Sequence, residues 1–60
     1  MTARPRASLL LNHLGDVLFE LKDYRAAADT FDRALSGDRE DIDVAVVERK
    51  RDRARTLAGR

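Results

Sequence analysis

The chain has no cysteine and no tryptophan, and only one proline and three glycines among its 60 residues. The absence of cysteine excludes disulfide bridges, cysteine-ligated zinc sites and a thiol nucleophile. Because small secreted domains usually depend on disulfides, we expect a cytoplasmic protein. No apolar run approaches the roughly 18 residues of a membrane span, so no membrane association is expected. A chain of this length forms one small domain at most.

Charge is abundant but nearly balanced, since 12 basic and 11 acidic residues leave a formal net charge of +1. Its distribution is uneven: residues 38–48 are mostly acidic, whereas residues 49–60 hold six basic residues and the single acid Asp52. A basic end can bind nucleic acid or an acidic partner, and it can equally pair with acids of its own chain. Both interpretations stay open, the first through Arg49, Lys50, Arg51, Arg53 and Arg55.

The apolar residues of the first third follow a helical period. Alanine and leucine are frequent and β-branched residues are few, a composition that favours helices. Steps of three and four residues define a single stripe, which we expect to be widened by Leu9 and Phe19. The stripe consists of Leu10, Leu11, Leu14, Val17, Leu18 and Leu21.

Capping residues predict two further helices. Asp23 is suited to cap a helix over residues 24–36, because its carboxylate can accept orphan backbone N–H groups. Gly37 is expected to end that helix in the left-handed conformation. A third helix would begin after Asp38 or Asp41, weaken beyond residue 51 and end at Gly59.

The predicted fold is therefore all-α, with three helices joined by two short connections. Short connections make neighbouring helices antiparallel, so residues 7–37 form a helix-turn-helix hairpin. Residues 1–6 are expected to be a disordered arm. Residues 38–60 are expected to be a third, capping helix with a basic end.

The spacing of small and large residues in the hairpin resembles the tetratricopeptide repeat. That repeat is a helix-turn-helix of about 34 residues with an L-G pair in the first helix and A-x3-F in the second. The resemblance covers about residues 8–41, and its matching or near-matching positions are Leu11, Leu14, Gly15, Leu18, Ala27, Phe31 and Ala34. It implies a fragment of an α-α superhelix, in which Gly15 and Ala27 allow two helices to approach and Phe31 fills the gap.

Some positions depart from the repeat pattern. Arg39 stands where the repeat closes on proline, Lys22 stands where its turn has glycine, and Leu11 stands where its first helix has tryptophan. The pattern does not recur after the first repeat, so the third helix resembles the terminal capping helix of such arrays. A generic helical hairpin with well-placed alanines is the alternative interpretation.

The resemblance implies a non-catalytic protein-binding module that uses its first helix to line a concave groove. By position, the groove residues would be Leu9, Asn12, His13, Asp16, Phe19 and Glu20. We expect this acidic and apolar groove to suit a basic or amphipathic helix, of which residues 49–60 are an example. His13, Asp16 and Glu20 share a face, but we expect a solvated polar surface there and no metal. No arrangement of catalytic residues is apparent, and no cofactor is expected.

One repeat and a half cannot bury the apolar face of the first helix, because about three repeats are usually needed. We therefore expect Leu9, Leu10, Leu11, Phe19 and Tyr24 to be partly exposed. A two-fold dimer is the simplest way to cover them. The alternative is that the chain is the C-terminal part of a longer array, and both possibilities stay open.

Overall fold

The computed structural model describes residues 7–37 and 42–59, which form three helices: α1 (Ala7–Glu20), α2 (Tyr24–Ser36) and α3 (Val44–Ala58). These two described ranges contain no strand, and the all-α three-helix prediction is confirmed. α2 is the central helix, packed against both α1 and α3. The predicted disordered arm, residues 1–6, and Arg39 lie outside the described residues.

The turn between α1 and α2 closes on backbone hydrogen bonds. The Asp23 N–H donates to the Leu18 carbonyl and the Lys22 N–H donates to the Phe19 carbonyl, both at 2.9 Å. This pair of bonds is the Schellman motif, which places one residue in the left-handed conformation. That residue is Lys22, with φ 65°. The turn thus demands glycine-like backbone geometry at the position where the repeat pattern has glycine.

The predicted limits of α2 are confirmed at both ends, from Tyr24 to Ser36. Asp23 caps the helix, and its carboxylate accepts the Ala26 N–H at 3.4 Å. The prediction for Gly37 is wrong, because its backbone is extended, with φ −93° and ψ −151°. A Cβ on Gly37 would lie 2.7 Å from the Ser8 hydroxyl of α1, so a side chain there would require that hydroxyl to move.

The predicted start of α3 is also wrong. Its N-cap is Asp43, whose carboxylate accepts the Val46 N–H at 3.4 Å. The two predicted caps, Asp38 and Asp41, lie outside the described residues. The apolar residues on either side of the cap, Ile42 and Val44, pack against the core, so tertiary contact selects this cap from a run of acids. The helix continues to Ala58, and Gly59 follows it as expected.

The core is built around the ring of Phe31, which is completely buried. A Cβ on Gly15 of α1 would meet that ring at 2.4 Å, so the missing side chain of Gly15 is the space the ring occupies. The small residues predicted to lie between helices, Gly15, Ala27 and Ala34, are all buried. The buried apolar residues are Ala27, Ala28, Phe31, Ala34, Leu35, Val47 and Ala54.

Neighbouring helices run antiparallel. The start of α1 meets the end of α2 where Ser8 contacts Gly37, and the middle of α1 meets the middle of α2 where Gly15 contacts Phe31. α3 reverses direction again, since Asp32 near the end of α2 binds Arg51 and the start of α2 lies near Gly59. α3 consequently runs in the same direction as α1, and side chains from the two helices meet across α2.

Candidate interaction surfaces

A groove of about 400 Å³ opens where α1 and α3 meet over α2. Its lining is apolar at the base, with acids on the α1 side and bases on the α3 side. The residues of this groove are Asp16, Phe19, Glu20, Phe31, Lys50 and Arg53. The Phe19 ring is half-buried and packs edge-on against Tyr24, with ring centroids 5.1 Å apart. The groove therefore has an ordered aromatic wall.

Lys50 joins the two sides of the groove. Its ammonium nitrogen donates to Asp16 Oδ1 at 3.0 Å and Oδ2 at 3.2 Å, and to Asn12 Oδ1 at 3.4 Å. The same nitrogen lies 5.8 Å from the centroid of the Phe31 ring, within the range of a cation–π contact. The hydrogen bonds tie α3 to α1, and the contact with Phe31 ties α3 to α2 at the centre of the core.

The structure brings together only part of the site proposed from the sequence. Asp16, Phe19 and Glu20 line the groove, and Asn12 reaches it through Lys50. His13 is exposed and Leu9 is half-buried, and neither lines the groove. In place of these two residues, α3 contributes the basic side of the groove.

The sequence left two roles open for the basic residues of the groove, which were nucleic-acid binding and pairing with acids of the same chain. Lys50 and Arg53 were candidate contacts to nucleic acid, and the groove was expected to be acidic. The structure corrects the expectation of an acidic groove, because Lys50 pairs with Asp16 and the lining includes both Glu20 and Arg53, so the groove has mixed charge. Two antiparallel connections in succession make α1 and α3 parallel neighbours. That topology was the signal in the sequence that the basic residues of α3 could lie beside the acids of α1.

Asp32 holds two more of the basic residues. Arg51 and Arg55 bind the two oxygens of its carboxylate at 3.2 Å and 2.6 Å, and Arg51 also pairs with Asp52 at 3.1 Å. Hydrogen bonds to Asp32 and then to Asp52 raise the pKa of Arg51 above its ordinary value. Three of the five basic residues proposed for nucleic acid are thus paired with acids of their own chain. In the described part of the chain, Arg49 and Arg53 form no ion pair.

The second candidate surface is an apolar stripe on the outer face of α1 and the first residue of the turn. We call it the leucine stripe: Leu10, Leu14, Val17 and Leu21, with exposed fractions of 65%, 48%, 52% and 71%. The exposure expected for Leu10 is confirmed, and the other three residues, which were predicted only as members of a helical stripe, are exposed as well. Only Leu11 and Leu18 of the predicted stripe pack against the core, because Gly15 turns their side of the helix toward Phe31.

The residues expected to be partly exposed divide accordingly. Leu10 is exposed, whereas Leu9, Leu11, Phe19 and Tyr24 are half-buried.

Over residues 7–37 and 42–59, no group of three or more metal-ligating side chains is close enough to hold an ion. None of the three described helices is long and apolar enough to cross a membrane. No protein-family model, curated protein or solved structure matches the chain.

Proposed function

We propose that the chain is a non-catalytic, cytoplasmic interaction module of the tetratricopeptide type, whose groove holds a segment of a partner protein. The carrying observation is the groove itself, which is lined by the half-buried ring of Phe19, by the acid Glu20 and by the base Arg53. An apolar base with a few charged groups at its edge is the usual form of a recognition pocket.

The geometry favours a peptide or helix over a small metabolite. At about 400 Å³ the groove is at the small end of ligand pockets, which span about 300–1,000 Å³, and it is open along its length. It can take one or two apolar side chains of a segment that continues beyond it. An amphipathic segment would pair a basic residue with Glu20 and an acidic residue with Arg53.

Three features of the hairpin support the family assignment within this proposal. Gly15 makes room for Phe31, Lys22 adopts the left-handed conformation where the repeat has glycine, and α3 lies against α2 where a following helix would pack. Gly15 is a position on which the resemblance was based, Lys22 is a position where the sequence departs from the repeat, and α3 corresponds to the expected capping helix.

Selection from a library of displayed amphipathic peptides tests the proposal. We expect selected peptides to bind the intact chain and to lose about tenfold in affinity, measured by fluorescence polarisation, with Arg53→Glu, since a charge reversal turns attraction into repulsion. Arg49→Glu is the matched control, because it makes the same charge change one turn away and outside the groove. A library that yields no binder, or binders equally affected by both variants, would contradict the proposal.

A further inference from the structure

We propose that the leucine stripe is the interface for a second copy of this chain, and that the two α1 helices pack antiparallel. The four residues of the stripe lie outside the groove, so the association does not require peptide binding there; Glu20, which is used below to argue the orientation, also lines the groove. The stripe's four residues are separated by steps of four, three and four, which is the a/d spacing of a two-helix seam.

The stripe has the form that such a seam requires. Successive helical residues are about 100° apart, so its four side chains fall within about 60° of one another around α1. Gly15 and Phe19, which lie toward α2 and the groove, are on the far side of the helix. Asn12 and Asp16, the α1 residues that bind Lys50, also lie on the far side of the helix from the stripe. A second helix can therefore approach the stripe without displacing α2 or α3.

Charge selects the orientation. In the heptad defined by the stripe, His13 and Glu20 occupy successive g positions along the same edge of the seam, away from α2, and both are exposed. They are about 10 Å apart along their own helix, too far to pair with each other. In an antiparallel pair, however, g positions face g positions. His13 of each copy then meets Glu20 of the other, and two favourable contacts form around the two-fold axis.

The parallel arrangement has no such match. There the g positions of one helix face the e positions of the other, and the e positions here are Leu11 and Leu18, which are packed in the core. In the antiparallel dimer Leu14 packs on Val17 of the other copy, and Leu10 packs on Leu21. The stripe is thus complementary to itself in one orientation, which makes a second copy the fitting occupant.

Sedimentation equilibrium of the full chain, from micromolar to millimolar concentration, tests the association. We expect a monomer–dimer equilibrium for the wild type and a monomer for Leu14→Glu, with unchanged helicity by circular dichroism because Leu14 is half-exposed. A wild type that stays monomeric at the highest concentration would overturn the proposal and favour a preceding repeat of a longer array as the occupant. A Leu14→Glu variant that dimerises as well as wild type would also overturn it.

A charge swap tests the contact between His13 of one copy and Glu20 of the other, and it leaves the four apolar residues of the stripe unchanged. His13→Glu places two carboxylates together in each half of the interface and should weaken the dimer about tenfold. Adding Glu20→Lys to the same chain should restore the affinity, because the two introduced side chains have opposite charges and would pair between copies. A double variant no tighter than His13→Glu would contradict the antiparallel contact.

Disulfide trapping tests the orientation independently, in a chain without native cysteine. An equimolar mixture of Leu10→Cys and Leu21→Cys should oxidise to the mixed dimer, because these positions face each other in the antiparallel pair. Disulfides form only across Cα separations of about 4.4–6.8 Å, and like positions would be farther apart. Preferential trapping of Leu10→Cys with itself would indicate a parallel pair and overturn the proposal.

Discussion

Adding a single methyl group at Gly15 should destabilise the chain, although alanine is the better helix former. Ideal placement puts the new Cβ 2.4 Å, 2.6 Å and 2.9 Å from three carbons of the Phe31 ring. The ring is fully buried at the centre of the core, so it cannot swing into solvent. Overpacking of this kind costs about 1–3 kcal/mol, and three short contacts to one rigid ring place Gly15→Ala near the upper limit.

The helical preference of alanine opposes this cost. Replacing glycine in a helix gains about 1 kcal/mol, so the expected net loss in the free energy of unfolding is about 1–2 kcal/mol. Urea denaturation followed by circular dichroism measures it. Gly59→Ala is the matched control, because its new Cβ would come no closer than 3.5 Å to any neighbour, and we expect little change.

A double-mutant cycle isolates the contact between Gly15 and the Phe31 ring. In a Phe31→Leu background the added methyl group meets a smaller side chain, so Gly15→Ala should cost much less or become stabilising. The coupling free energy is expected to exceed about 1 kcal/mol. Gly15→Ala that stabilises the wild-type chain, or a coupling near zero, would refute the packing of α1 on the Phe31 ring.

Three further predictions follow from the turn, from Asp32 and from the basic side of α3. Lys22→Gly should raise the free energy of unfolding by about 0.5–1 kcal/mol, because relief of the left-handed backbone exceeds the added entropy of the unfolded chain; a lower urea midpoint would contradict the φ of 65°. Asp32→Asn should lower the urea midpoint at low salt and by less at high salt, since it removes the shared partner of Arg51 and Arg55; an effect independent of salt would argue against those pairs. The chain should not shift duplex or single-stranded DNA in a gel even at low salt, where phosphate contacts are strongest; a salt-sensitive shift would favour the nucleic-acid interpretation of the basic residues.

Local signals in the sequence were sufficient to predict that the three helices exist. The limits of α2 follow from Asp23, whose carboxylate caps the helix, and from the period of its apolar residues. The cap of α3 did not follow, because several acids before it are chemically equivalent as N-caps. Ile42 and Val47, on either side of Asp43, have the spacing of a hydrophobic staple, and this was the signal that could have identified the correct cap.

The orientation of α1 agrees with the position of Gly15 in the resemblance but does not follow from the apolar period. Its apolar residues cover so much of the helix that the period alone does not say which side faces α2. Gly15 decides it, since the Phe31 ring fits only over a residue without a side chain. The same choice leaves Leu14 and Val17 outside and directs Asp16 toward Lys50. The two surfaces of α1 are therefore fixed by one glycine.

The central claim is that α1 is held with Gly15 beneath the ring of Phe31, which places the groove on one face and the leucine stripe on the other. Proton NMR tests this contact directly. The account predicts strong nuclear Overhauser effects between the Gly15 α-protons and the Phe31 ring protons, with a ring-current shift of the Gly15 α-protons. Overhauser effects from the Phe31 ring to Leu14 or Val17 in place of Gly15 would contradict the account.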